Sequence, residues 1–301
     1  MSRRAPALAL LLLVSLSVSQ TLARTSRTSR PTPTSATSLQ SLVTALRAKA
    51  KSLENAPGMR QGFKSLAAAH HLSPGSLPYS DYVTIRLLFE ATRDAGFWNL
   101  HWEITDQPPN SDNIWRQWKS VRRPSVLNPT ATAECDELSA LYAFLVERIG
   151  VKSVGLLWPY VNHTVAVWVV HPTNGPVTRV VVPTTQIFLE ETDLFDTPKF
   201  DPWRQKNIYE YTRRDVPDSF ELPKHLFDFF LEQIDKYAGA SDGTLQQLRY
   251  LRESVLRRTR TLDQAVAEAL KKRGDLSKPS AEDLAAFDHF IQDLRAEPPA
   301  F

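Results

Sequence analysis

Two residues of this chain have side chains suited to covalent chemistry, the only cysteine, Cys135, and a histidine that follows it, His163. A thiolate is a strong nucleophile, and an imidazole can take the proton of the thiol and give it to a leaving group. The two residue types together predict acyl transfer, with Cys135 as the nucleophile and His163 as the base. This chemistry requires no cofactor, and none is expected.

A predicted helix positions the cysteine. The residues Leu138, Leu141, Tyr142 and Leu145 recur at steps of three and four, which places them on one face of a helix that ends at Gly150. Cys135 then lies in the first turn, where unpaired N–H groups and the helix dipole favour a thiolate. Thr132 is the expected N-cap.

Three apolar segments after this helix predict strands. They cover 154–158, 163–170 and 177–182, and turn signals at Pro159 and Asn174-Gly175 separate them. His163 begins the second strand, and Pro183-Thr184-Thr185 follows the third. One helix followed by consecutive strands predicts an α+β fold for this part of the chain.

The order of these blocks resembles the transglutaminase-like (papain-like cysteine hydrolase) superfamily. The helix from Cys135, the strand from His163 and the Val182-Pro183-Thr184 block are similar to its cysteine, histidine and Asp-Pro-Thr blocks. The resemblance implies a helix carrying the cysteine packed on antiparallel strands, and hydrolysis of peptide or amide bonds. Val182 stands where the family has aspartate, so the third catalytic member is altered. Thr184, Thr185, Gln186 or a backbone carbonyl are candidates to orient the imidazole instead.

Several tryptophans precede the cysteine. The indole N–H of Trp102, Trp115 or Trp118 is a candidate oxyanion donor beside the Cys135 backbone N–H. The same side chains could line a groove for an apolar or sugar-like ligand, or they could belong to the core.

The N-terminus has the pattern of an export signal. Arg3 and Arg4 precede an apolar run over 5–18, and small residues around Ala23 suit cleavage, so 1–23 is predicted to be a signal peptide of a secreted or periplasmic protein. The run is short for a membrane span, and no stable membrane insertion is expected after cleavage. Residues 24–38 are mostly Ser, Thr, Pro and Arg and predict a disordered linker.

The charge distribution argues against nucleic-acid binding. The formal net charge is +3, but residues 1–38 hold five arginines and no acids, so the remaining chain carries 3 − 5 = −2. The expected partner is a peptide, protein or cell-envelope polymer. No metal site is expected, because His101, Glu103 and Asp106 lack a recognised ligand spacing.

The whole chain is predicted to comprise a helical lead-in over 39–79, a transglutaminase-like core over 80–190 and a mostly helical region over 191–301. The main functional prediction is an exported thiol-dependent hydrolase. One alternative is a catalytically inactive module of the same fold that binds a peptide or glycan through an aromatic groove. The other is a structural envelope protein.

Overall fold

Amphipathic segments of the sequence form most of the helices. The structure is a computed structural model that describes residues 35–73, 75–105, 107–108, 110–173, 175–185 and 194–297. Within these residues the helices are α1 (Leu39–Leu53), α2 (Pro57–Ala69), α3 (Tyr79–Thr92), α4 (Asn113–Trp118), α5 (Cys135–Ile149), α6 (Lys224–Tyr237), α7 (Asp242–Leu256), α8 (Leu262–Gly274) and α9 (Ala281–Ala296). The predicted signal peptide lies outside the described residues.

Among the described residues, the strands are short and form three small sheets. They are β1 (Ala36–Ser38), β2 (Leu100–Trp102), β3 (Ala131–Ala133), β4 (Val154–Tyr160), β5 (His163–Val170), β6 (Thr178–Val182), β7 (Tyr209–Glu210) and β8 (Glu221–Pro223). The largest sheet is antiparallel, with strand order β6-β5-β4-β7, while β2 and β3 pair in parallel. The α+β class is therefore confirmed.

Helix boundaries follow local signals with small differences. Helix α3 begins at Tyr79 with Pro78 as its N-cap, because a proline fixes φ near the helical value. Gly150 ends α5 in the left-handed conformation, with φ of 111°, as glycine at a helix C-terminus favours.

The predicted linker ends earlier than Ser38. Residues 36–38 form β1, which pairs antiparallel with β8, and the side chain of Ser38 caps α1 by accepting from the Ser41 N–H. Backbone pairing with a distant strand overrides a composition that predicts disorder. The rest of the predicted linker, 24–34, lies outside the described residues.

One hydrophobic cluster joins the three predicted regions of the chain. It contains Leu42 of α1, Phe89 of α3, Leu141 of α5, Phe230 of α6 and Phe287 of α9, all fully buried. The lead-in, the core and the C-terminal helices thus share one core. In the part of the chain that the structure describes, no helix has the length and apolar character to cross a membrane.

The two faces of the central sheet have different neighbours. Ala166 and Trp168 of β5 belong to the large cluster that includes α5. Val165 and Val167 belong to a smaller cluster around Phe200 on the opposite face. Because side chains alternate along a strand, each residue of β5 is assigned to one face or the other.

Candidate functional site at the start of helix α5

Cys135 is the first residue of α5, as the sequence predicts. Its N-cap is Glu134, and the carboxylate of Glu137 reaches back to accept from the Glu134 N–H at 3.1 Å. Thr132 is not the N-cap, because it lies in β3 and pairs with His101 of β2. The parallel pairing of β3 delays the helix start by two residues.

The neighbour of the Cys135 thiol on β5 is Thr164. Burial raises the pKa of the thiol, and hydrogen bonds from the backbone and hydroxyl of Thr164 oppose that rise without cancelling it. The nearby Asp136 carboxylate adds to the rise. The dipole of α5 would favour a thiolate, but burial and this negative charge outweigh it, so the thiol is protonated at neutral pH.

The imidazole of His163 belongs to the other face of the sheet. Its ring lies 5.3 Å from the ring of Phe200, which also contacts Tyr160 at 6.1 Å between ring centroids. Burial lowers the pKa of His163 to about 4, and its Nε2 atom is buried without a hydrogen-bond partner. The ring is therefore neutral at pH 7.

Strand alternation accounts for this arrangement. Thr164 has the parity of Ala166 and Trp168, which face α5, whereas His163 has the parity of Val165 and Val167, which face Phe200. Cys135 and His163 both border the same cavity. His163 Nε2 nevertheless has no hydrogen-bond partner, so the catalytic pair stays a prediction.

Among the candidate orienting residues, Thr184 has a structural role. Its Oγ1 lies 2.8 Å from Oγ of Ser139, which donates to the Cys135 carbonyl at 2.7 Å. Its own carbonyl accepts from the Asp94 N–H at 2.8 Å. Gln186 lies outside the described residues.

Thr185 follows β6, whose pairing with β5 ends at Val182 opposite Ala166. Thr185 Oγ1 is buried without a hydrogen-bond partner, as is His163 Nε2. Val182 pairs with Ala166 and shares its side of the sheet, toward α5 and away from His163.

Two of the three candidate tryptophans are core residues. Trp115 and Trp118 are fully buried, and the Trp118 indole N–H donates to Thr130 Oγ1 at 3.2 Å. They pack edge to face on each other, with ring centroids 5.0 Å apart. The prediction that either is an oxyanion donor or a groove residue is wrong, because the amphipathic turn of α4 directs both inward. Trp102 does border the cavity beside Cys135.

The cavity at the start of α5 is large and has an apolar rim. Its volume is about 690 Å³, and Cys135 and Thr164 border it. Three of its apolar side chains are exposed: Ile104 at 68%, Trp158 at 50% and Val161 at 99%. Apolar side chains exposed together around a concave site are typical of a ligand or protein contact.

The charges along this cavity are mainly negative. Glu134, Asp136 and Glu137 border it together with one base, Arg213. The Glu137 carboxylate accepts from Asn113 Nδ2 at 2.9 Å, and Glu134 Oε1 accepts from the Thr105 N–H at 2.8 Å. Asp136 Oδ1 is buried without a hydrogen-bond partner, so it is the carboxylate oxygen with capacity to bind a cation or donor.

Asp136, Thr164 and Trp158 are site residues that the sequence reading did not assign. Asp136 could have been assigned to the site because it follows Cys135 directly in the sequence. Thr164 could have been assigned from the alternation of β5 only if the strand face toward α5 had been known. Comparison of the chain with protein-family models, curated proteins and solved structures finds no match.

Proposed function

We propose that this protein is a transglutaminase-like binding module without catalytic activity, and that its cavity at the start of α5 holds an apolar peptide segment carrying a positive charge. One observation carries the first part of the proposal. His163 Nε2 has no hydrogen-bond partner, its ring lies against Phe200, and no imidazole is among the groups that shift the pKa of the Cys135 thiol. A thiol without a neighbouring base is not activated as a nucleophile at neutral pH.

The shape and lining of the cavity support peptide binding. A volume of about 690 Å³ lies within the range of typical ligand sites. The exposed side chains of Ile104, Trp158 and Val161 offer apolar contacts on the rim. Aromatic side chains such as Trp158 and Trp102 supply large contact areas at low conformational cost.

The charge of the cavity supports a cationic group in the ligand. Asp136 Oδ1 is the acceptor without a protein partner, and burial raises the pKa of Asp136 relative to an exposed carboxylate. A lysine or arginine side chain beside it would complete its hydrogen bonding and lower its pKa again. The N-terminal sequence pattern supports export, so the partner would be an extracellular or periplasmic protein or peptide.

Protection of Cys135 from alkylation tests this proposal, because the chain has a single cysteine and it borders the cavity. We expect decapeptides that combine Leu or Phe with Lys to slow the reaction of iodoacetamide with Cys135. Peptides with Glu in place of Lys should protect at least tenfold less well. Asp136→Asn should remove most of this difference, since it removes the charge beside the ligand cation.

The matched control is Asp263→Asn in the first turn of α8, which changes a carboxylate at another helix start. It should leave peptide protection unchanged. Equal protection by cationic and anionic peptides, or none by either, would contradict the proposed ligand class.

Thiol-dependent acyl transfer is the second candidate function. The observation that favours it is that Cys135, in the first turn of a helix, and His163 border one cavity. Ligand binding would then have to turn His163 out of its contact with Phe200. This candidate predicts that His163→Ala slows alkylation of Cys135 at neutral pH, because the imidazole would activate the thiol.

A further inference from the structure

Three potential metal ligands from different parts of the chain meet behind the cavity. They are Asp94, which follows α3, His101 of β2 and Glu253 of α7. One ligand atom from each lies within 4.8 Å of those from the other two. Sequence spacing could not indicate this cluster, because Glu253 joins it only through the tertiary fold.

Asp94 is held in place by the backbone around it. Its side chain is 3% exposed, and its Oδ1 accepts from the Trp102 N–H at 2.8 Å. The Asp94 N–H donates to the Thr184 carbonyl at 2.8 Å. His101 Nδ1 lies 3.9 Å from the same Oδ1, which is too long for a hydrogen bond.

Glu253 has an oxygen without a partner. The residue is 2% exposed, its Oε2 accepts from Arg257 Nε at 3.2 Å, and its Oε1 is buried with no hydrogen-bond partner. A buried carboxylate oxygen left unsatisfied costs free energy, so its retention requires an explanation. A bound cation would explain this unsatisfied oxygen, and it would also explain why Asp94 and His101 lie close to it.

We propose that Asp94, His101 and Glu253 bind a divalent transition-metal ion, with Zn²⁺ as the favoured ion. One imidazole and two carboxylates form a ligand set that zinc accepts, and the histidine argues against Ca²⁺ or Mg²⁺, which prefer oxygen ligands alone. Two ligands that are each about 2.1 Å from one tetrahedral ion lie about 3.4 Å apart. Asp94 Oδ1 and His101 Nδ1 lie 3.9 Å apart, so the ligand atoms would move slightly closer together when an ion binds. The half-exposed His101 leaves a path from solvent.

The arginines around the cluster leave Glu253 Oε1 without a hydrogen bond. Arg257 engages Oε2 of Glu253, and the buried Arg252 donates to the Ala95 carbonyl. The carboxylates of Asp94 and Glu253 are both buried and have oxygen atoms within 4.8 Å of each other. An ion between them would relieve the repulsion of their charges.

A bound ion would tie α7 to β2 and thereby fix the backbone of Trp102, which borders the cavity. The expected role is structural, in support of the binding site.

Isothermal titration calorimetry of the full chain, after treatment with EDTA, tests the site with ZnCl₂ and separately with MnCl₂. We expect one Zn²⁺ per chain, and a loss of affinity of at least about tenfold in His101→Ala and in Glu253→Gln. Zinc at 100 times its Kd should raise the Tm of the wild type by about 5 °C and leave that of His101→Ala nearly unchanged.

Matched controls are His171→Ala, an exposed histidine just after β5, and Glu268→Gln on α8. Both should retain zinc affinity. Glu253 is buried, so its substitution could unfold the chain. Near-UV circular dichroism of each variant therefore checks that the fold is intact. His101 is half-exposed, so His101→Ala tests the site without this risk. No binding of either metal by the wild type, or equal zinc affinity in the wild type and His101→Ala, would overturn the proposal in favour of a simple ionic cluster.

Discussion

Replacing Trp118 by alanine is expected to lower the free energy of unfolding by about 3–5 kcal/mol. The side chain is fully buried and packs against Trp98, Trp115 and Phe230, with ring centroids 5.8, 5.0 and 5.0 Å away. Its indole N–H also donates to buried Thr130, whose Oγ1 would lose that donor. Urea denaturation followed by far-UV circular dichroism measures the loss.

Trp102→Ala is the matched control. This tryptophan is only partly buried and borders the cavity, so we expect a smaller loss of stability and a marked loss of peptide protection at Cys135. The two substitutions thus distinguish a tryptophan that stabilises the core from one that contributes to peptide binding. A Trp118→Ala variant with wild-type stability and impaired binding would show instead that Trp118 belongs to the site.

Glu90→Ala is expected to cost a similar 3–5 kcal/mol, because it leaves buried arginines without their shared carboxylate. Glu90 Oε1 lies 3.4 Å from Arg86 Nη1, and Oε2 lies 3.2 Å from Arg249 Nη1. Arg93 Nη1 lies 3.7 Å from Oε1. This carboxylate joins α3 to α7, the helix that also carries Glu253. Urea denaturation at pH 7 measures the effect, and Glu147→Ala, at an exposed position of α5, should change stability by less than about 0.5 kcal/mol.

The pH dependence of stability gives an independent check on this cluster. Burial alone would raise the pKa of Glu90, but the three guanidinium groups hold it below its ordinary value. A carboxylate with a lowered folded-state pKa stabilises the fold above the unfolded-state pKa of about 4.3, and this contribution is lost as the pH falls through the folded-state value. Glu90→Gln should lack this part of the acid dependence. An unchanged acid profile in that variant would contradict the assigned charge cluster.

Local sequence signals predicted helix α5 and its end. The spacing of Leu138, Leu141, Tyr142 and Leu145 identified α5 and placed Cys135 in its first turn, as observed. Gly150 correctly marked its end. Periodicity and terminal residues are properties of neighbouring positions, so they can be read without knowledge of the tertiary structure.

Nonlocal pairing could not be predicted in the same way. The β1–β8 and β2–β3 pairs join segments far apart in the chain, and no local pattern specifies their partners. The burial of Trp115 and Trp118 also depends on elements that meet only in the fold. The cluster of Asp94, His101 and Glu253 is another example, since its third member lies on α7.

The sequence predicted the position of Cys135 at a helix start, but not which face of β5 this helix contacts. Cys135 does begin a helix that packs on β5, but both faces of β5 are buried and apolar. A strand of this kind has no polar alternation to show which face meets the helix. The sequence therefore favoured His163, the more reactive residue type, although the neighbouring Thr164 has the parity of the residues that face α5.

The most direct test of the proposed loss of catalysis is the pH dependence of Cys135 alkylation by iodoacetamide in the wild type, His163→Ala and Thr164→Val. If the protein is not catalytic, we expect the pKa of the Cys135 thiol to lie above its ordinary value in the wild type, because burial dominates. We expect the same thiol pKa in His163→Ala. Thr164→Val should raise the pKa further, since it removes the hydroxyl that hydrogen-bonds to the sulfur. A wild-type pKa well below the ordinary value that returns upward in His163→Ala would contradict the account and establish a thiolate–imidazolium pair.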